Sequence, residues 1–280
     1  MPSTRSPLAR ILPLMIGATV TLGASFAAQA DATLDKIEQR HRVVVGVLLS
    51  GGPFGSIDPT TQKPEGLNVD LAEDVGRQLG AEVELVSVLP ANRVQFLQQG
   101  KVDLLIANME WTAERGQQLG FVPTPFYRVG GTAAVLKDSK ITRWEDLKGQ
   151  PVCTSQGSSY IKPLTEFGAE LKAFKSSSES LLALRGNNCV AAVHDATLIN
   201  PLVADSPEWQ NYRALSPELN PAPSVIWTRP GETDTQAKLD AIVKGWHRTG
   251  WLIDAEKRHH ITPASPALVE LHDKFQAAGA

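Results

Sequence analysis

Residues 100–115 read GKVDLLIANMEWTAER and join a short apolar run to a polar end that carries an arginine. The run at 102–107 is apolar on both faces, which predicts a buried strand of a parallel sheet. Thr112 is a suitable N-cap for a following helix, with Glu114 and Arg115 in its first turn. Because ligands of open α/β sheets bind outside the carboxyl ends of the strands, this segment is a candidate carboxylate site. The alternative is a solvated loop in which Arg115 forms a surface ion pair.

The first 30 residues match a secretory signal peptide. Arg5 and Arg10 precede an apolar run at 11–28, and the tripeptide at 28–30 is an A-x-A cleavage site. A membrane anchor is the alternative, but the run is rich in small residues and ends at the cleavage signal. The sequence therefore predicts an exported protein.

Removal of this segment makes the chain more acidic. Residues 1–30 carry two positive charges and no negative ones, so the formal net charge changes from −3 to −5. An exported protein of this charge has no electrostatic basis for binding nucleic acid or an anionic membrane.

The only two cysteines, Cys153 and Cys189, both lie in the exported part. In an oxidising compartment two cysteines most simply form one disulfide. Each belongs to a short apolar run, and a bridge is geometrically reasonable if those runs are neighbouring strands. Two buried free thiols are the alternative, and metal binding by two cysteines without nearby histidines is not expected.

Apolar runs that fit buried strands alternate with segments of helical period, which predicts a parallel α/β sheet. The predicted strands are 43–49, 83–88, 102–107, 132–136, 151–155, 189–194 and 224–228. The predicted helices are 67–79, 93–99, 160–168, 179–185, 234–249, 251–259 and 267–277.

Two segments rich in proline, at 123–131 and 220–223, interrupt this pattern and predict crossings between domains. A middle segment would then be inserted into a first domain that the C-terminal helices complete, and two crossings allow a hinge. The predicted bounds are 1–30 for the signal peptide, 31–128 for the first part of lobe 1, 129–223 for lobe 2 and 224–280 for the completion of lobe 1.

Polar residues that follow the predicted strands provide groups for binding an anion. Asn108 and Arg115 follow one strand, and the guanidinium group can hold a carboxylate bidentately. The backbone N–H groups of Gly157, Ser158 and Ser159 are expected at the N-terminus of a helix, where they assist anion binding.

Asp195 provides the opposite charge, for an ammonium group. Taken alone, it is better explained as the N-cap of a helix that begins at Ala196. Taken with Arg115, it gives a cation and an anion that face one crevice and match a zwitterion, the common feature of amino acids.

An ordered set of short motifs covers nearly all of the mature chain. The motifs are PFG at 53–55, GLNVDLA at 66–72, GKVD at 100–103, ANM at 107–109, TAER at 112–115, PFY at 125–127, DLKG at 146–149, QGSS at 156–159 and VHD at 193–195. With them the chain resembles the polar amino-acid family of periplasmic solute-binding proteins, which have the type II fold and serve ABC importers.

The resemblance implies an α/β fold of two Rossmann-like lobes with mixed, mostly parallel sheets, joined by a two-strand hinge with the ligand in the cleft. Arg115 would bind the α-carboxylate of the ligand with help from Ser158 and Ser159, and Asp195 would bind the α-ammonium group. The implied partners are a small amino-acid-like ligand and the membrane permease of an ABC importer. A periplasmic monomer without cofactor or metal, and without a nucleic-acid partner, is expected.

Two positions depart from the family pattern. Glu110 stands where the family usually has a small hydroxyl residue that helps to bind the ligand. Its carboxylate would either pair with Arg115 or meet an amine of the ligand. Gly51 stands where several members carry a stacking aromatic residue, so Phe54 and Trp111 are the candidates for the side-chain wall, with core packing as the alternative for each.

Two other functions compete with solute binding for import. The same fold is known to host a secreted cyclohexadienyl dehydratase, in which a carboxylic acid in the cleft donates a proton. Glu110 would be that acid if burial raised its pKa, although Arg115 favours its ionised form. The other function is presentation of the ligand to a sensor or chemoreceptor. Because no nucleophile or metalloprotease motif is found, a non-enzymatic role is expected.

Overall fold

The computed structural model describes residues 1, 31–50 and 52–277. Residues 2–30, which make up nearly all of the predicted signal peptide, lie outside the described residues, as do Gly51 and residues 278–280. Among the described helices, none is long and apolar enough to cross a membrane.

The helices and strands are numbered here in chain order. The helices are α1 (Ala32–Arg40), α2 (Leu67–Leu79), α3 (Arg93–Gln98), α4 (Ala113–Gln118), α5 (Ile161–Glu166), α6 (Ser177–Arg185), α7 (Ala196–Asp205), α8 (Thr233–Thr249), α9 (Trp251–Arg258) and α10 (Pro266–Ala277). The strands are β1 (Arg42–Leu48), β2 (Ser56–Ile57), β3 (Pro64–Glu65), β4 (Glu82–Val88), β5 (Leu104–Ile106), β6 (Gly120–Phe121), β7 (Tyr127–Leu136), β8 (Pro151–Ser155), β9 (Glu170–Phe174), β10 (Ala191–Asp195), β11 (Tyr212–Ala214), β12 (Leu219–Ser224) and β13 (Trp227–Thr228).

The first sheet has the strand order β4-β1-β5-β13-β6. Strands β4, β1 and β5 run parallel, whereas β13 is antiparallel to its neighbours β5 and β6. The strand predicted at 102–107 is confirmed as β5, and all three of its residues are buried. We call the part that carries this sheet lobe 1.

The second sheet has the order β11-β7-β10-β8-β9, with β12 also paired to β7. Strands β10, β8 and β9 run parallel, whereas β7 is antiparallel to β10, β11 and β12. We call the part that carries this sheet lobe 2. The predicted α/β fold with two Rossmann-like lobes is confirmed, and in each sheet parallel strands sit beside antiparallel ones.

The two proline-rich segments that were predicted to cross between the lobes contain paired strands. Strand β7 begins at Tyr127, and β12 includes the prolines at 221 and 223. The two strands pair antiparallel, with Ser224 opposite Tyr127 and Ala222 opposite Val129. Proline is compatible with a strand that has a neighbour on one side only, because it cannot donate a ladder hydrogen bond. The lobe bounds at 128/129 and 223/224 stay predictions.

The helical period of α2 explains how lobe 1 is closed. Leu67, Leu71 and Val75 are buried and face the sheet in one cluster with residues of α8 and α9. Gly80 ends the helix in the left-handed conformation (φ 66°), as its position in the sequence predicts.

The predicted disulfide is confirmed: Cys153 and Cys189 are bonded, with Cα atoms 5.8 Å apart. Cys153 lies in β8, and Cys189 lies just before the neighbouring strand β10. The bridge therefore joins two strands that both end at the edge of lobe 2 facing lobe 1.

Candidate functional site

Polar segments that leave the two sheets meet between the lobes. Side-chain hydrogen bonds join lobe 1 to lobe 2. Among them, Asn108 donates to Asp195, Ser159 donates to Glu110, and Arg115 donates to the carbonyl of Gly157. These six residues lie at the end of β10 or in the segments that follow β5 and β8. The cleft between the lobes is therefore the place where the candidate binding groups gather.

Arg115 lies in the first turns of α4, and Thr112 caps this helix, as predicted, by accepting from the Arg115 N–H at 3.2 Å. Its Nη1 donates to the backbone oxygen of Glu110 at 2.7 Å and to Glu110 Oε2 at 3.3 Å. Its Nη2 donates to the Gly157 oxygen at 2.9 Å. With a side chain only 14% exposed, the guanidinium group is held at the cleft and is not a solvated surface charge.

Glu110 is buried, with 3% of its surface exposed. Its Oε2 accepts from Ser159 Oγ at 2.8 Å as well as from Arg115. Of the two roles that the sequence left open for this carboxylate, the structure shows the one in which it pairs with Arg115. Glu110 therefore accepts hydrogen bonds from Arg115 and Ser159, two residues that were expected to donate to a ligand carboxylate.

Asp195 is the last residue of β10 and precedes α7, yet its side chain makes no capping hydrogen bond within the described residues. The carboxylate accepts instead from Tyr160 Oη at 2.9 Å and from Asn108 Nδ2 at 3.2 Å. Loss of solvation raises the pKa of Asp195 to about 7, and the negative charge of Glu110 adds to the shift. The carboxylate therefore faces the cleft as a group that titrates near neutral pH.

Asn108 reaches Asp195 because its backbone is left-handed (φ 46°), a conformation that asparagine tolerates better than most residues. Its Oδ1 accepts from the side chain of Asn68 on α2, which fixes the orientation of the amide. The polar turn after β5 is thus built to direct this side chain across the cleft.

Arg93 is a site residue that the sequence did not reveal. It begins α3, is 3% exposed, and its Nη1 donates to the carbonyl oxygens of Ala107 at 2.6 Å and Asn108 at 2.7 Å. Burial lowers its pKa to about 10, and the neighbouring Arg115 charge adds to this. A cation in the first turn of a helix opposes the helix dipole, and that unfavourable placement was the available signal.

The segment at 157–159 differs from its prediction. Helix α5 begins at Ile161, so these residues precede the helix by a turn that includes a hydrogen bond from the Ser158 N–H to the Ser155 oxygen at 3.2 Å. Gly157 presents its carbonyl to Arg115, and Ser159 contributes its hydroxyl. In the structure this segment contributes a carbonyl and a hydroxyl to hydrogen bonds across the cleft, and its expected role in anion binding stays a prediction.

Phe54 is corrected from a wall of the site to a core residue. It is 1% exposed and packs edge-on against Tyr127 at 4.9 Å between ring centroids, in the core of lobe 1. Trp111 packs against Phe121 at 5.9 Å between ring centroids, beside a second group of buried apolar residues in lobe 1 that includes Leu105 and Trp227. Burial of apolar area explains both rings.

Two spaces flank the contacts between Glu110, Ser159 and Arg115. The inner cavity has a volume of about 30 Å³. It is lined by Leu48, Pro90, Arg93, Asn108, Glu110, Ser155, Ser158, Ser159, Tyr160, Ser177, His194, Asp195 and Leu198. The outer groove has a volume of about 510 Å³, and Arg115 lines it together with Gly157 and Lys162. Burial lowers the pKa of His194 to about 4, so this inner-cavity residue is neutral at physiological pH.

Comparison with known proteins points to one family. The family model described as "Bacterial extracellular solute-binding proteins, family 3" matches residues 43–261. The chain is 32% identical over 200 residues to the glutamine-binding protein of Geobacillus stearothermophilus, covering 69% of this chain and 75% of that protein. It is 28% identical over 208 residues to the glutamate/aspartate import solute-binding protein of Escherichia coli K12, covering 70% and 68%.

Solved structures agree with these relatives. The cysteine-binding protein from Campylobacter jejuni superposes with a TM-score of 0.76 at 28% identity, covering 81% of this chain and 92% of that chain. An ancestral arginine-binding protein bound to glutamine gives 0.73 at 27% identity, covering 78% and 97%.

Proposed function

The chain belongs to the bacterial extracellular solute-binding proteins of family 3, and we propose that it binds an amino acid or related zwitterion between its two lobes. The bound solute is delivered to the membrane permease of an ABC importer when the two hinge strands let the lobes close. The protein acts in the periplasm, as a monomer and without a cofactor.

The observation that carries this proposal is the pair of opposite charges on opposite sides of the cleft. Arg115 belongs to lobe 1 and Asp195 to lobe 2. A carboxylate on Arg115 and an ammonium group on Asp195 would replace contacts that the lobes make with each other, such as that of Arg115 with the Gly157 carbonyl. A zwitterion therefore links the lobes and favours the closed form.

A thermal-shift screen of the amino acids tests the proposal. A ligand at a hundred times its dissociation constant stabilises the protein by roughly 2.7 kcal/mol, which is readily measured as a rise in the unfolding midpoint. If no amino acid raises the midpoint, the proposed function is wrong.

Replacing Gly157 with alanine is expected to weaken ligand binding by about tenfold or more, because a tenfold loss needs only about 1.4 kcal/mol of strain in the closed form. A Cβ atom there would lie 2.6 Å from the carbonyl oxygen of Pro90, on the other lobe. Calorimetric titration and the radius of gyration with ligand present are the measurements.

Gly149→Ala is the matched control for this variant. Gly149 has a similar positive φ (68° against 74°), but a Cβ atom there meets nothing within 4 Å. Both variants place an alanine at a positive φ and carry that backbone strain. Only Gly157→Ala also obstructs the approach of the two lobes. Equal binding by the two variants would contradict closure at this contact.

Ligand affinity is expected to fall as the pH drops below 7. Asp195 has a pKa of about 7, and an ammonium group binds its ionised form. Lowering the pH from about 8 to about 6 protonates most of this group and should raise the dissociation constant about tenfold. His194, with its pKa of about 4, stays neutral over that interval.

Titration calorimetry at several pH values measures this effect. The Asp195→Asn variant should bind the ligand more weakly, and its affinity should not depend on pH over this interval. A constant affinity of the unaltered protein between those pH values would show that Asp195 does not bind the ammonium group.

A second function, dehydration of a cyclohexadienyl acid, has one observation in its favour. Asp195 is a carboxyl group whose pKa of about 7 suits a proton donor at neutral pH. Incubation with prephenate or arogenate decides between the two functions. Turnover that is lost in Asp195→Asn and in Glu110→Gln would make the protein an enzyme.

A further inference from the structure

The inner cavity presents two carboxylates to whatever enters it. Glu110 and Asp195 both line this cavity. Arg115 lines the outer groove instead, on the far side of Glu110. The pairing of Glu110 with Arg115 thus screens the cation of the site from the cavity. The charged side chains that line the cavity are therefore these two acids and Arg93.

Arg93 does not neutralise these acids by direct contact. Its Nη1 is held by the carbonyl oxygens of Ala107 and Asn108, and its Nη2 lies 3.4 Å from the Gly157 oxygen. Arg93 itself lines the cavity and contributes positive potential there, but its described hydrogen bonds go to backbone oxygens alone.

Ser155 is an independent sign that the inner cavity takes a polar group. It is 3% exposed and lines the cavity, and its Oγ has no hydrogen-bond partner among the described residues. Buried hydroxyl groups are rarely left without a partner, because the loss of water is then uncompensated. A ligand N–H group beside the two carboxylates would supply one.

Displacement of Glu110 has a consequence for the charge of the ligand. A carboxylate that takes the donors of Arg115 and Ser159 must move Glu110 away from them. A buried acid that loses its cation is strongly unfavourable unless another cation replaces it. The α-ammonium group is already used by Asp195, so the replacement must be a further positive group on the ligand.

We propose that Glu110 and Asp195 form a cation subsite in the inner cavity, and that the cleft therefore selects ligands with a net positive charge. This inference rests on the proposed function, since it concerns the ligand of the same cleft. The class is an amino acid with a basic side chain, or an amine that keeps the basic group and lacks the carboxylate.

Arginine, citrulline and agmatine separate these possibilities. Citrulline has nearly the shape of arginine without its side-chain charge, and agmatine keeps the guanidinium group but lacks the carboxylate. Titration calorimetry on the unaltered protein should give a dissociation constant for arginine at least tenfold lower than that for citrulline. Equal affinities would overturn the inference and leave the proposed function intact.

Glu110→Gln keeps the shape of the side chain and removes its charge. In this variant the preference for arginine over citrulline should fall from at least tenfold to less than about threefold. Glu166→Gln, which removes an exposed acid from the end of α5, is the control and should keep the full preference. A Glu110→Gln protein that folds and keeps that preference contradicts the subsite.

The remaining outcomes are also decisive. Binding of agmatine without binding of arginine or citrulline supports the cation subsite and contradicts the proposed amino-acid function. Failure of all three ligands to bind contradicts the subsite. The amino-acid screen then decides the proposed function separately. Because the comparison of the three ligands needs only the unaltered protein, it holds even if Glu110→Gln does not fold.

Discussion

Replacing Arg115 with alanine is expected to raise the dissociation constant of the amino-acid ligand more than a hundredfold. Charge-assisted bidentate hydrogen bonds are among the strongest polar contacts. Truncating one partner of a buried charge pair costs about 2–5 kcal/mol, and 2.7 kcal/mol corresponds to about a hundredfold. Titration calorimetry with the best ligand of the amino-acid screen measures the change.

The variant has a second effect that must be separated from the first. Arg115 is the only described cation in direct contact with the buried carboxylate of Glu110, so its loss also destabilises the fold. The double variant Arg115→Ala/Glu110→Gln removes the orphaned charge and should regain much of the lost thermal stability. It should not regain the loss of affinity that comes from the missing guanidinium group.

Arg143→Ala is a suitable control, because this arginine is 71% exposed on lobe 2 and its ion pairs among the described residues are with the nearby Glu145 and Asp146. It should leave binding unchanged. If Arg115→Ala binds the ligand as well as this control does, the carboxylate of the ligand is held elsewhere. The opposite charges of Arg115 and Asp195 would then not bind a zwitterion between the lobes.

The elements that could be predicted from the sequence are those whose signal is local. The apolar run at 102–107 predicts β5, because a central strand is buried on both faces. Thr112 predicts the start of α4, because capping involves residues within one turn. The place of Arg115 at the end of the sheet follows from these two elements. Glu110, in the same segment, was recognised as a departure from the family pattern.

The parts of the site that the sequence did not predict depend on contacts over long sequence separations. Arg93 is held by carbonyl oxygens fourteen and fifteen residues ahead of it and approaches Gly157 of the other lobe. The hydroxyl of Tyr160 reaches Asp195, thirty-five residues away. Helix and strand periodicity does not encode contacts over such separations, so the partners of these residues could not be predicted from the sequence.

Gly157 shows a related limit. A glycine between polar residues is compatible with an anion-binding loop, and its N–H group was the expected contact. In the structure its positive φ turns the carbonyl toward Arg115, and the missing side chain lets the segment approach Pro90. The residue type was informative, but the direction of the peptide group depends on the packing of the two lobes.

Removing the disulfide by Cys153→Ala together with Cys189→Ala is expected to lower the free energy of unfolding by about 4 kcal/mol. The two cysteines are 36 residues apart. In the chain-entropy model, a bridge closing a loop of that length destabilises the unfolded state by about 4 kcal/mol. Chemical denaturation, followed by circular dichroism, gives the change directly.

Part of any loss in the alanine variant comes from the missing sulfur atoms, because both side chains are buried. The unaltered protein with its disulfide reduced keeps those atoms and isolates the effect of the bond. Reduction should lower the free energy of unfolding of the unaltered protein by most of the same amount and leave the alanine variant unchanged. A loss below about 1 kcal/mol on reduction would mean that the unfolded chain gains little freedom from opening the loop.

The position of the bridge adds an expectation for binding. It joins the middle of β8 to the segment just before β10. The chain leads from the carboxyl end of β8 to Ser159, and β10 ends at Asp195. The register between these two strands is also fixed by their own pairing, with Ala192 opposite Cys153. While the protein is folded, opening the bridge should therefore change ligand affinity less than threefold, even though it lowers stability. A large loss of affinity at full folding would show that the covalent bond, and not the sheet, aligns the two polar ends of lobe 2.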